Sequence, residues 1–70
     1  MILKSKEQVG GSHYKAFAIE PGYFCEHNGL SHFESNVVKY VCRHSFKDGV
    51  KDIDKAIDYL NKIKELCYEG

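Results

Sequence analysis

The sequence has no tryptophan, one proline, one methionine and no net charge, ten basic residues being matched by ten acidic ones. Each shortage excludes something. The charge balance argues against a duplex nucleic-acid binder, which relies on many phosphate contacts made by a clearly basic domain. No apolar run is long enough for a membrane span. Met1-Ile2-Leu3 is followed at once by Lys4, Lys6 and Glu7, which reads as no secretory leader. The cysteines Cys25, Cys42 and Cys67 are odd in number and include no C-x-x-C pair, a pattern that fits neither a disulfide framework nor a zinc knuckle. Reduced thiols in a cytoplasmic protein are the simple reading. Internal repeats and low-complexity segments are also absent.

What remains is one small domain. Chains of this size bury only about 60% of the surface that their unfolded form exposes. Such a core rarely yields more than ~3–5 kcal/mol without a disulfide, a metal or a partner subunit. With the first two props missing, self-association into a homo-oligomer becomes the expectation. Five Tyr, four Phe and 43% hydrophobic residues suffice for a folded domain rather than a disordered one.

The pattern along the chain is all-α: a compact three-helix domain behind an N-terminal, partly extended arm. Residues 1–19 carry Gly10-Gly11-Ser12 and no helical period, so they read as the arm, bent at the glycines. Residues 20–70 read as the helical domain. Glu20-Pro21 opens a first helix over about 21–28, which stops at Asn28-Gly29. Ser31-His32-Phe33-Glu34 is a capping box that starts a second helix over about 32–46. Its core stripe is expected to be Phe33, Val37, Val41 and His44. Tyr40 falls on one flank, and Val38 and Cys42 on the other widen the apolar arc toward another subunit. After the turn Lys47-Asp48-Gly49, a third helix over about 50–67 presents Ile53, Ala56, Ile57, Leu60, Ile63 and Cys67 within one arc. Asp48 suits a cap, Asp52 and Asp54 suit the helix dipole, and Asp58 pairs with Lys62 at i,i+4.

One face of the second helix stands out. Asn36, Tyr40, Arg43 and Lys47 recur at spacings of four, three and four, with Lys39 beside them. An amide, an aromatic ring and two or three cations therefore converge on one patch of a neutral protein. Arg43 can fork onto phosphate oxygens, Lys39 and Lys47 can add point charges, Tyr40 can stack a base, and Asn36 can read a base edge or sugar. The same pattern also describes a solvated helix face with Tyr40 against the core.

Other clusters are weaker. Gly10-Gly11-Ser12-His13-Tyr14 could bring backbone N–H groups to a phosphate, but neither a P-loop nor a G-x-G-x-x-G pattern is present, and two glycines also make a hinge. Asp54 and Asp58 have the i,i+4 spacing to share a Mg²⁺ through water, although dipole compensation and a surface salt bridge explain them more simply. No metal-ligand set is assigned. His27 and His32 straddle a turn, and His44 lies near a helix end where a satisfied core histidine is expected.

The elements Gly11-Ser12-His13-Tyr14, Pro21, Asn36-Val37-Val38-Lys39-Tyr40-Val41-Cys42-Arg43 and Lys47-Asp48-Gly49-Val50-Lys51-Asp52-Ile53-Asp54-Lys55-Ala56-Ile57-Asp58-Tyr59-Leu60 resemble a phage-encoded family. That family is built on a small domain of unknown function. Its members are often called nucleotide kinases, after a longer coliphage member described as a deoxynucleoside monophosphate kinase. The resemblance runs from about Gly10 to Leu66. It implies a nucleotide site in which Tyr14, Asn36, Lys39, Tyr40, Arg43, Lys47, Lys55 and Tyr59 bind ligand. In an enzyme, Arg43, Asp52 and His13 would be the catalytic group.

Three functions follow as expectations. One is phosphoryl transfer from a nucleoside triphosphate, accompanied by Mg²⁺, to a deoxynucleoside monophosphate. Another is a module that holds a nucleotide-derived signal unconverted, in the cytoplasm of an infected host cell. The last is an effector whose apolar helix face docks on a host protein.

Overall fold

The computed structural model describes residues 17–69. The predicted Gly-Gly-Ser-His-Tyr motif, with His13 and Tyr14, lies outside the described residues. Within them the chain is all-α, with three helices and no strand: α1 (Pro21–His27), α2 (His32–Arg43) and α3 (Val50–Lys64). No described helix is long and apolar enough to cross a membrane.

Local chemistry sets each boundary. Pro21 takes the first position of α1, where its missing N–H costs nothing, and the Glu20 carboxylate accepts from Tyr23 N–H at 2.9 Å. The helix closes in a Schellman motif: Gly29 N–H donates to Glu26 C=O and Leu30 N–H to Cys25 C=O. Gly29 carries the motif at φ 67°, a conformation that side-chain-bearing residues rarely adopt. The capping box of α2 forms as the sequence indicates. Glu34 N–H donates to Ser31 Oγ at 3.2 Å, and Ser31 N–H donates to Glu34 Oε1 at 2.8 Å.

The second helix is shorter than its pattern suggests. It ends at Arg43 and tightens into a single 3₁₀ turn, His44–Phe46, before Gly49 at φ 58° reverses the chain. Gly49, as the N-cap of α3, has no side chain to offer. The capping role expected of Asp48 falls instead to Asp52 in the first turn, whose Oδ2 accepts from Asp48 N–H at 3.0 Å. The far end of α3 relaxes into one π-helical turn, Glu65–Glu69.

Helices α2 and α3 form an antiparallel hairpin, with Arg43 beside Asp52 near the turn and Phe33 against Tyr59 at the far end. Helix α1 lies against α2, where Cys25 Sγ sits 4.0 Å from Ser35 C=O. Buried side chains are Pro21 and Cys25 on α1 and Asp52 and Ala56 on α3. This corrects the predicted core. Val41, Ile57, Leu60 and Cys67 are exposed, and the α3 line facing α2 runs through Asp52, Ala56, Tyr59 and Ile63. The helix is rotated because two tyrosines and an ion pair occupy the interface. Ala56, the one small residue on that line, lets the backbones approach.

Candidate functional site

The stripe singled out on α2 runs along one edge of the hairpin, where residues of α3 meet it. The two helices contribute one tyrosine each. Tyr40 and Tyr59 stack with centroids 6.0 Å apart and planes 16° from parallel. Phe33 is tilted against Tyr59 at 5.8 Å, and His32 meets the same ring edge-on at 6.3 Å. Three cations lie over this pair. The Arg43 guanidinium carbon is 5.0 Å from the Tyr40 centroid, Lys55 Nζ is 5.6 Å from the same ring, and Lys62 Nζ is 5.7 Å from Tyr59. Cations so placed are attracted by the electron-rich ring faces.

Arg43 is held from below. Its Nε donates to Asp52 Oδ1 at 3.1 Å, and its Nη2 lies 3.5 Å from Asp48 Oδ2. The Asp52 carboxylate is fully buried, yet both oxygens are satisfied, one by Arg43 and one by Asp48 N–H. Burial alone would raise the Asp52 carboxyl. The Asp48 N–H, the Arg43 hydrogen bond and charge, and the nearby Lys55 charge outweigh it and hold the group below the usual carboxylate range. Asp52 is therefore an ionised anchor for Arg43, turned away from solvent.

The remaining candidates divide. Asn36 spends its amide on its own helix, donating to His32 C=O at 2.9 Å, with the His32 ring nitrogen 3.2 Å away. Lys39 and Lys47 are exposed, with no ion-pair partner among the described residues and no contact to the tyrosine pair there. Lys55 likewise forms no direct ion pair there, although its charge acts on the Asp52 carboxylate. Lys62 does: Asp58 Oδ2 accepts from its Nζ at 2.7 Å, and that hydrogen bond raises the ammonium above its ordinary value. Among the described residues no three His, Cys, Asp or Glu side chains converge as metal ligands do. The thiols lie elsewhere, Cys42 being pushed up by burial and by Cys25. The stripe thus forms a platform of two rings with cations above it, suited to a planar, anionic molecule.

A family model described as "Protein of unknown function (DUF3310)" matches residues 9–61 of the chain. The chain belongs to this family. No curated protein and no solved structure matches it. The DUF3310 match takes in His13, Tyr14 and every candidate on α2 and α3 through Tyr59, and Lys62 falls one residue beyond it. Within this DUF3310 domain, helical spacing groups Tyr40 with the α2 cations, and the resemblance adds Lys55 and Tyr59 to the same site. Lys62, Phe33 and His32 join the cluster only when α3 folds back. For Lys62 the signal lies in the spacing of Lys55, Tyr59 and Lys62, four then three, which places them on one flank of α3.

Proposed function

We propose that this DUF3310 chain is a nucleotide-binding protein of phage origin, whose site is the aromatic and cationic edge of the α2–α3 hairpin. One observation carries this reading: the Tyr40–Tyr59 stack, one ring from each helix, lies under Arg43, Lys55 and Lys62. Base–aromatic stacking contributes ~1–3 kcal/mol per base and is tolerant of base identity. Arg43 offers a planar guanidinium suited to phosphate oxygens, and Lys39, Lys47 and Lys55 add charge at the rim. The resemblance to phage proteins called nucleotide kinases supports the same ligand class. It also adds His13 and Tyr14 as further contacts.

A second reading is phosphoryl transfer to a deoxynucleoside monophosphate, favoured by the fixing of Arg43 on a buried carboxylate. An arginine held in place before the reaction can stabilise transferring phosphoryl charge without reorganising. In that reading Asp52 acts as a positioning residue, because both its oxygens are occupied and buried.

Ultrafiltration with ATP, Mg²⁺ and mixed deoxynucleoside monophosphates, followed by chromatography of the retained and free pools, separates the outcomes. Retained, unchanged nucleotide supports a binding module, and new diphosphates support the kinase. The absence of both retention and conversion at millimolar nucleotide would overturn the nucleotide reading. Lys55→Ala, which removes a cation over Tyr40, should retain less nucleotide, with circular dichroism checking that the variant is folded.

A further inference from the structure

Asn36 sits midway along the tyrosine edge. His32 and Tyr40, four residues to either side of it on α2, both meet the Tyr59 ring, with centroids 6.3 Å and 6.0 Å away. Side chains four apart on a helix are neighbours on one face, so Asn36 lies between two rings that share Tyr59 as a partner. Its carboxamide is fixed at one end. Nδ2 donates to His32 C=O at 2.9 Å and lies 3.2 Å from the His32 ring nitrogen Nε2. The reverse orientation would set the amide oxygen against that carbonyl oxygen, so the hydrogen-bond network assigns the nitrogen to this side. Oδ1 is thereby turned away from the His32 carbonyl. It accepts no hydrogen bond from any described residue. No side-chain oxygen or nitrogen among the described residues is both buried and unpaired, so Oδ1 is open to solvent.

We propose that Asn36 determines which base this site takes, its Oδ1 accepting a hydrogen bond from an exocyclic amine of the bound nucleotide, an assignment that rests on the nucleotide reading above. Three features lead there. First, a carboxamide whose N–H groups already face His32 has only an acceptor left to offer, and an acceptor recognises a donor. Second, the register along α2 selects the base over the sugar. Arg43 and Asn36 are seven residues apart. At ~1.5 Å per residue that is about 10 Å along the axis, comparable with the reach from a 5′-phosphate to the far edge of its base. With the phosphate on Arg43 and the base against the tyrosines, the sugar stays near Arg43 and the far edge of the base meets Asn36. Third, the amine is the donor that suits a lone oxygen. The ring N–H of thymine lies between two carbonyl oxygens, which would face Oδ1 with like partial charge. The amine of adenine or cytosine projects from the ring with no carbonyl beside it. Adenine and cytosine nucleotides are therefore the preferred ligands, and thymine nucleotides are disfavoured.

The test is equilibrium dialysis of the full-length chain with two matched pairs of nucleotides. One pair is dAMP and the 5′-monophosphate of purine 2′-deoxyriboside; the other is dCMP and the 5′-monophosphate of 2′-deoxyzebularine. Within each pair the only difference is hydrogen in place of the amine. In each pair that binds, the wild type should hold the amine-bearing nucleotide about three- to tenfold more tightly, the range for one hydrogen bond. Asn36→Ala, shown to be folded by circular dichroism, should bind both members of a pair alike. Equal binding within the pairs by the wild type overturns the role of Asn36 and leaves the nucleotide reading standing. So does an Asn36→Ala chain that discriminates as the wild type does. Binding of none of the four nucleotides at millimolar concentration overturns both. If Asn36→Ala unfolds, the wild-type pairs decide.

Discussion

Arg43 and Asp52, nine residues apart, join the two ends of the α2–α3 turn through an Nε–H···Oδ1 hydrogen bond of 3.1 Å. The acid is fully buried and the base is partly open to solvent. A buried carboxylate is tolerated only when it is ionised against a partner or neutralised by a proton. Here the partner is present and the group stays ionised. The pair closes the hairpin and also aims the guanidinium over Tyr40.

The pH dependence of stability follows from that pair. The folded Asp52 pKa is depressed, so between the folded value and the unfolded value near 4 the unfolded chain binds more protons. The contribution is thus fully present above about pH 4 and is lost as pH falls through the folded value. Thermal melts of the wild type should shift downward over that acid window. Asp52→Asn should melt lower at pH 7 and lose much of the acid dependence. An equally steep acid limb in the variant would assign the dependence to other carboxylates.

Much of this was legible in the sequence, and the reasons differ by element. The Ser31–Glu34 box and the Asn28-Gly29 stop were readable because caps are local, their donors and acceptors lying within a few residues of each other. Tyr40 and Arg43 were readable as neighbours because helical spacing fixes them. The core was misplaced because the largest apolar moment of α3 points to Ile57 and Leu60. The interface instead forms around Asp52, Ala56 and Tyr59. Nothing local records that preference, since it depends on where Tyr40 and Arg43 arrive from α2. Asp52 suffered most from this: an aspartate in a first helical turn looks like dipole compensation, and only its long-range partner makes it a buried anchor.

Asp48 is the competitor within the candidate site. Its carboxylate lies 3.5 Å from Arg43 Nη2, on a side chain 46% exposed, so an incoming phosphate would contest that contact. Exposed pairs of this kind contribute about 0.2–1 kcal/mol. Asp48→Asn should therefore tighten nucleotide binding by up to about fivefold, measured by equilibrium dialysis, with little change in melting temperature. Its backbone N–H still caps onto Asp52. Unchanged or weakened binding would mean that phosphate does not reach Arg43.

Two glycines adopt φ values that other residues resist, and in both cases space is not the obstacle. A Cβ at Gly29 or Gly49 would meet nothing within 4 Å, but φ is 67° and 58° respectively. Alanine at either position should cost about 1–2 kcal/mol from backbone conformation alone. Gly49 should prove the more sensitive, since its ψ of −126° lies outside the left-handed helical region that Gly29 uses to close α1. Chemical denaturation of Gly29→Ala and Gly49→Ala checks both the size and the order. A neutral Gly49→Ala would imply that the turn rearranges without loss.

Tyr40 separates the structural from the functional meaning of the stack. If the tyrosine pair only fastens α3 to α2, then replacing one ring lowers stability and nothing else. An aromatic pair contributes about 0.5–1.5 kcal/mol beyond the area that it buries, so Tyr40→Leu should melt at a lower temperature in either case. Tyr40→Phe retains the ring and the cation contacts and should bind nucleotide as the wild type does. Tyr40→Leu, assayed at a temperature where circular dichroism shows it fully folded, should bind at least about tenfold more weakly, the loss expected when a stacked base forfeits its platform. Equal affinity for all three chains, each shown to be folded, would reduce the pair to a fastening and move the ligand away from this edge.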